Sequence, residues 1–158
     1  MTAYAVDLVA VPEQAIAGVR ERCPVGALDQ LVRRLRWAVS EAGLQPAGPV
    51  MARYFEEWRE DGDVDCEVAV PVLPGPDGSV PDRIGEAHGD LIPAHHAFAT
   101  VHHGPYAGLQ AAFAALAREL ETLGYVAAGP ATAVYIRSRE DTTDPSGYVT
   151  VLRQPYAR

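Results

Sequence analysis

One phrase occurs twice in this chain: PAGPVMARYF at residues 46–55 returns, altered, as AAGPATAVYI at residues 127–136. Val11 falls on Ile92, 81 places on (92 − 11), and the match runs without a gap to Phe55 on Ile136. Identical pairs are Pro12/Pro93, Pro24/Pro105, Leu28/Leu109, Leu35/Leu116, Gly43/Gly124, Ala47/Ala128, Gly48/Gly129, Pro49/Pro130, Ala52/Ala133 and Tyr54/Tyr135. Repetition at one offset points to two copies of a folding unit sharing a core. The shared glycines and prolines are the residues that set backbone geometry.

Each copy carries one amphipathic helix. Leu28, Leu31, Val32, Leu35, Val39 and Ala42 recur at helical spacing, as do Leu109, Phe113, Leu116, Leu120 and Leu123. Gly43 and Gly124, each followed by an apolar residue, predict left-handed caps of the Schellman type. A strand precedes each helix, at 15–22 and 96–103, and two follow, at 51–58 and 64–72 and again at 132–138 and 148–154. A further strand over 4–10 is expected to open the first sheet. Residues 73–90, rich in Pro, Gly and Asp, read as a loop joining repeats at about 4–72 and 91–156. The fold class expected is α+β in one domain: duplicated strand-helix-strand-strand modules forming an antiparallel sheet with two main helices and a central groove.

Charge narrows the function. Against 13 Lys plus Arg stand 21 Asp plus Glu, a formal net charge of −8, which repels nucleic-acid phosphates and anionic lipid. Direct nucleic-acid binding is not expected. No run reaches the roughly 20 apolar residues of a bilayer span, and MTAYAVDLVAV lacks the basic start of a signal peptide. Cys23 and Cys66 are far apart and form no CxxC pair. Two buried thiols in a cytoplasmic protein are the expectation.

VHHGPYAGL before a helix, then AGPATAVY, then DPSGYVTVLRQP, together resemble the GyrI-like small-molecule-binding domain, the effector-binding domain of multidrug-responsive transcription activators. The resemblance covers essentially the whole chain. It implies a ligand groove between the repeats, and roles in sensing, sequestration or drug resistance. Relatives also include a gyrase inhibitor and hydrolases of reactive natural products. No stretch before Tyr4 is long enough for a helix-turn-helix, so a regulatory role would borrow another chain's DNA-binding domain.

Candidate ligand-binding residues are Tyr54, Trp58, Phe98, Tyr106, Tyr135 and Tyr148, whose rings stack on planar ligands or hold cations over their faces. Ordinary core packing is the competing reading for each. In VDCEVAVPV, alternation puts Val64, Cys66, Val68 and Val70 beneath the helices, and Asp65, Glu67 and Ala69 on the other face, toward the expected groove. Glu67 there would pair with a cationic ligand or, in the enzymatic alternative, act as a base; a solvated carboxylate is the other reading. The resemblance implies a last-strand Thr-Glu pair, but Thr150 and Val151 stand at those places. Matching Pro71 with Pro155 sets Glu67 opposite Val151. Met51 belongs to the groove wall or the core, and Trp37 to the core or a partner surface.

His95, His96, His102 and His103 match no zinc signature, and neighbours on a strand point in opposite directions. They read as strand-surface residues, with His102 and His103 at the groove rim. No metal, cofactor, phosphate loop or Ser-His-Asp arrangement is expected. Partners expected are hydrophobic or cationic small molecules, with a protein partner or a homodimer left open.

Overall fold

The computed structural model describes residues 4–158. Ten strands and two helices follow in the order β1 (Asp7–Val11), β2 (Gln14–Pro24), α1 (Leu28–Glu41), β3 (Met51–Tyr54), β4 (Asp63–Pro71), β5 (Arg83–Ile84), β6 (Ala87–Ile92), β7 (His95–His103), α2 (Leu109–Leu123), β8 (Val126–Ala127), β9 (Ala131–Arg137) and β10 (Val149–Ala157). The sheet is antiparallel, in the order β1-β7-β10-β9-β3-β4-β2-β6-β5, with β8 on β10.

At the centre β3 pairs with β9, and the twin residues Ala52 and Ala133 face each other in the ladder. A pseudo-twofold therefore passes between them. Matching contacts lie to either side: Ala47 N–H donates to the Pro71 carbonyl at 2.8 Å, and Ala128 N–H to that of Pro155 at 2.9 Å. Both helices end as the glycines predict. Gly43 and Gly124 take φ of 69° and 75°, and the Leu44 and Tyr125 N–H groups reach back to the carbonyls of Val39 and Leu120.

Strand order dictates the shape. β1 and β2 lie six places apart in the sheet, roughly 29 Å if it were flat. Only residues 12–13 join them, and three residue steps reach at most about 11 Å. β6 and β7, also six places apart, are joined by residues 93–94. The sheet must therefore roll up so that its ends approach, with the twin Pro12 and Pro93 at the two crossings. Inside the roll Ile16, Met51, Ala69 and Val134 are buried. Outside, Leu31, Leu35, Ala38 and Val39 of α1 and Leu109, Ala112, Leu116 and Leu120 of α2 cover the sheet. Val64, Cys66, Val68 and Val70 of β4, all fully buried, meet the helices as the alternation predicts.

Three expectations need correction. The opening strand does not join the first repeat's sheet: β1 pairs with β7, Asp7 opposite Ala99. The place beside β2 is taken by β6, so the repeats exchange edge strands. Residues 73–90 are not all loop. β5 and β6 form a hairpin, turning at Gly85 with φ 61°, and its buried Ile84 and Ala87 supply the apolar anchor. Gly89 lets the preceding loop lie close, since a Cβ there would come 1.9 Å from the Pro81 carbonyl oxygen. Finally, the strand expected over 51–58 stops at Tyr54. Phe55 N–H still donates to the Asp65 carbonyl, but Asp65 N–H donates to the Glu56 carboxylate, both at 2.9 Å, and residues 56–58 leave the ladder.

Candidate functional site

The turn CPV and its twin GPY each make a single 3₁₀ turn, Val25–Ala27 and Tyr106–Gly108, ahead of a helix. Related by the pseudo-twofold, the two helix starts converge on the outer face of the sheet over β3 and β9. Between them opens a cleft of about 520 Å³. Its aromatic lining is Tyr54, Trp58, Tyr106 and Tyr135, and Val25, Leu28, Val32 and Leu109 of the helix starts add apolar wall. A second recess, about 590 Å³, lies on the other side of Tyr54 and Trp58 and is bounded by Phe113 of α2.

The rings are held by one another. Tyr106 stacks on Tyr148 at 4.8 Å and meets Tyr135 edge-on at 5.5 Å, while Tyr54 meets Phe113 edge-on at 5.6 Å. Such offset and T-shaped pairs each add about 0.5–1.5 kcal/mol beyond burial. The twin hydroxyls of Tyr54 and Tyr135 lie 3.4 Å apart on the cleft floor. Burial pushes the phenol pKa of Tyr54, Tyr106 and Tyr135 well up, so all three stay neutral and able to orient a polar ligand atom. Charge is confined to the mouth, where Asp29 pairs with Arg139 and Glu140 with Arg36 at 2.9 Å. Among the described residues, Arg33 and Glu60, also at the mouth, form no ion pair.

Four of the expected site residues thus come together and four do not. Tyr148 is buried behind Tyr106 and supports it. Phe98 packs with Tyr125 and Tyr156, at 5.8 and 4.6 Å, beneath the other end of α2. Val151 faces into the roll beside Ile16 and Met51. Glu67 also points into the roll, as its parity requires, but the tyrosines stand on the opposite face. The sheet lies between the acid and the rings that were expected to share a groove.

Glu67 is not solvated either, being 2% exposed. Its carboxylate accepts from Arg53 Nη1 at 2.7 Å and from His88 Nε2 at 2.6 Å. Gly18 makes room for it, since a Cβ at that position would stand 2.9 Å from the carboxylate. A carboxylate held by two donors and closed off from the cleft is built for structure, not for proton abstraction there.

Other expectations resolve similarly. Met51 is core, and Trp37 is exposed on α1. His102 is buried; its Nε2–H donates to the Pro105 carbonyl, and Nδ1 accepts from the Tyr4 hydroxyl, both at 2.8 Å. It pins the turn ahead of α2, so its place is structural. Among the described residues no three His, Cys, Asp or Glu side chains gather as a metal site. Leu28 and Val32 read in the sequence only as part of the apolar stripe of α1, and Val25 was not singled out; the twin prolines Pro24 and Pro105 stand just ahead of both helix starts.

Cys23 and Cys66 lie with their sulfurs 3.9 Å apart in the core. Burial raises the Cys23 pKa and pushes that of Cys66 up to about 12. Since the thiolate is the nucleophile, neither thiol reacts with a disulfide reagent such as Ellman's at pH 8 in the folded protein, and both react after denaturation. A fast native reaction would contradict this burial.

Comparison with known proteins bears on the whole domain. The family model described as the GyrI-like small molecule binding domain matches residues 4–155. No curated protein matches the chain. Among solved structures, the EcmrR C-terminal domain superposes with a TM-score of 0.88 at 22% identity, over 99% of each chain. In the EcmrR–DNA complex the TM-score is 0.87 at 22% identity, over 98% of this chain and 58% of the EcmrR chain. SAV2435 bound to tetraphenylphosphonium gives 0.64 at 15%, over 99% and 94%, and a hydrolase from Listeria innocua 0.66 at 14%, over 96% and 91%. At these identities the structural likenesses establish the fold.

Proposed function

This chain belongs to the GyrI-like small-molecule-binding family, and from that premise we propose that it takes planar, largely apolar molecules into the cleft between its helix starts, for sensing or sequestration. One observation carries this reading: four aromatic rings line a cavity of about 520 Å³ with charged side chains only at its mouth. Cavities of this size and lining suit drug-sized ligands. Covering about 300 Å² of apolar ligand surface contributes about 7 kcal/mol before the costs of association, and stacking on the rings adds to it.

Cations gain something over tyrosine faces, but charges at the mouth are balanced, and the buried carboxylate that would select them is behind the sheet. Neutral and cationic planar dyes are therefore expected to bind within about tenfold of each other, since a solvent-accessible cation–π contact contributes about 0.5–1 kcal/mol. Fluorescence titration with neutral Nile red and cationic rhodamine 6G tests this. Saturable binding of both supports the reading; saturation by neither removes it. The EcmrR likeness favours sensing in concert with a DNA-binding chain, and a hydrolytic role lacks the base that Glu67 would have supplied in the cleft.

A further inference from the structure

The inside of the roll holds a cavity of its own, about 260 Å³, on the opposite face from the aromatic cleft. Cross-strand pairing puts one row of side chains along it. Glu67, Arg53, Thr132 and Arg153 are successive partners on β4, β3, β9 and β10, so each stands about 5 Å from the next. Glu67 neutralises Arg53 at 2.7 Å. Arg153 is different: among the described residues no carboxylate lies within ion-pair distance of it. Asp7, the nearest acid along the row, is separated from it by Ala99.

No acidic side chain lines the cavity, although the chain carries a net charge of −8. Val11, Met51, Ile92 and Pro155 supply apolar wall, and Gln14, His95, His96 and Tyr156 add uncharged polar groups. His95 is fixed there by donating its Nδ1–H to the Pro93 carbonyl at 2.8 Å. Half-burial of Arg153 lowers its pKa, with no compensating partner. A desolvated guanidinium without a counterion is costly to maintain, and its planar fork matches an oxyanion.

We propose that this cavity is a second binding site, for a small carboxylate with an apolar tail whose oxyanion is held by Arg153. One unneutralised arginine matches a single carboxylate charge better than a phosphate dianion. The volume falls below the range that takes drug-sized molecules, so the ligand is smaller than those suited to the cleft. The exchanged strands shape the site, because Val11 and Gln14 flank one crossing, Ile92 and Pro93 lie at the other, and all four line it. It does not depend on what the aromatic cleft binds.

Met51 is one of two methionines in the chain and lines this cavity, so methyl-labelled methionine gives a local reporter. In the full chain, benzoate and hexanoate are expected to shift the Met51 methyl resonance saturably, while benzyl alcohol and inorganic phosphate do not. Arg153→Leu weakens the response at least tenfold, whereas Val32→Trp in the aromatic cleft leaves it unchanged. An unmoved Met51 signal, an equal response to benzyl alcohol, saturation by phosphate, or loss of the response in Val32→Trp each overturns the proposal. Should Arg153→Leu fail to fold, the contrast between benzoate and benzyl alcohol in the parent protein decides the question.

Discussion

Val32→Trp is expected to lower the affinity for Nile red and rhodamine 6G at least tenfold while the thermal midpoint stays at the parent value. Val32 is only half-buried and sits on the cleft wall of α1. An indole there extends into open volume and not into the close-packed core, so it displaces ligand without overpacking. Valine and tryptophan have similar helix propensities, which leaves α1 itself undisturbed. Tenfold corresponds to about 1.4 kcal/mol, a small part of what the rings supply. Titration and thermal unfolding of the same preparation check both halves. Parent-like dye affinity in a folded Val32→Trp protein would place the dye elsewhere.

Glu67→Ala is expected to do the reverse, lowering stability by about 3 kcal/mol and leaving dye affinity intact. The lost carboxylate is the partner of Arg53, whose side chain is 15% exposed, and breaking a buried pair on one side costs about 3–5 kcal/mol. The lower end applies because Arg53 and His88 reach some solvent. For a chain of this size the thermal midpoint falls by about 6–12 °C. A double change, Glu67→Leu with Arg53→Leu, recovers much of the loss, since apolar replacement of both partners is often neutral. Reduced dye binding with unchanged stability would instead return Glu67 to the ligand site.

These opposite outcomes trace to one strand register. The repeat, both helices, their glycine caps and the alternation of β4 were legible because they rest on local chemistry: spacing of apolar residues and the backbone freedom of glycine. Which side chains share a face across strands was not. Tyr54 stands opposite Cys66, and Arg53 opposite Glu67. A slip of one residue at the turn between β3 and β4, REDGD at residues 59–63, reverses every such pairing, and nothing local in that turn announces the register. Had Arg53 been matched to Glu67 in the sequence, the acid would have read as an ion-pair partner and the tyrosines as facing the helices.

The exchanged edge strands escaped for a related reason. Pro and Gly in residues 73–90 describe turns correctly, but whether Ala87–Ile92 lies against its own repeat or the other is decided by tertiary contact alone. Trp58 belonged with Tyr54 in the expected site, and it reaches the cleft because the chain departs from the ladder after Tyr54. Phe98, also aromatic and on a strand, faces the same side of the sheet but beneath the far end of α2. Residue type selected both, and only position along the helix separates them.

Trp58 also supplies the most direct test. The chain has two tryptophans, Trp37 exposed on α1 and Trp58 on the cleft wall. In a Trp37→Phe protein the remaining indole reports on the cleft and the recess beside it. Titration with rhodamine 6G, with binding followed in parallel by calorimetry, is expected to change the Trp58 emission saturably, with the same midpoint as the heat. Saturable heat without any change at Trp58 would contradict the cleft as the binding site.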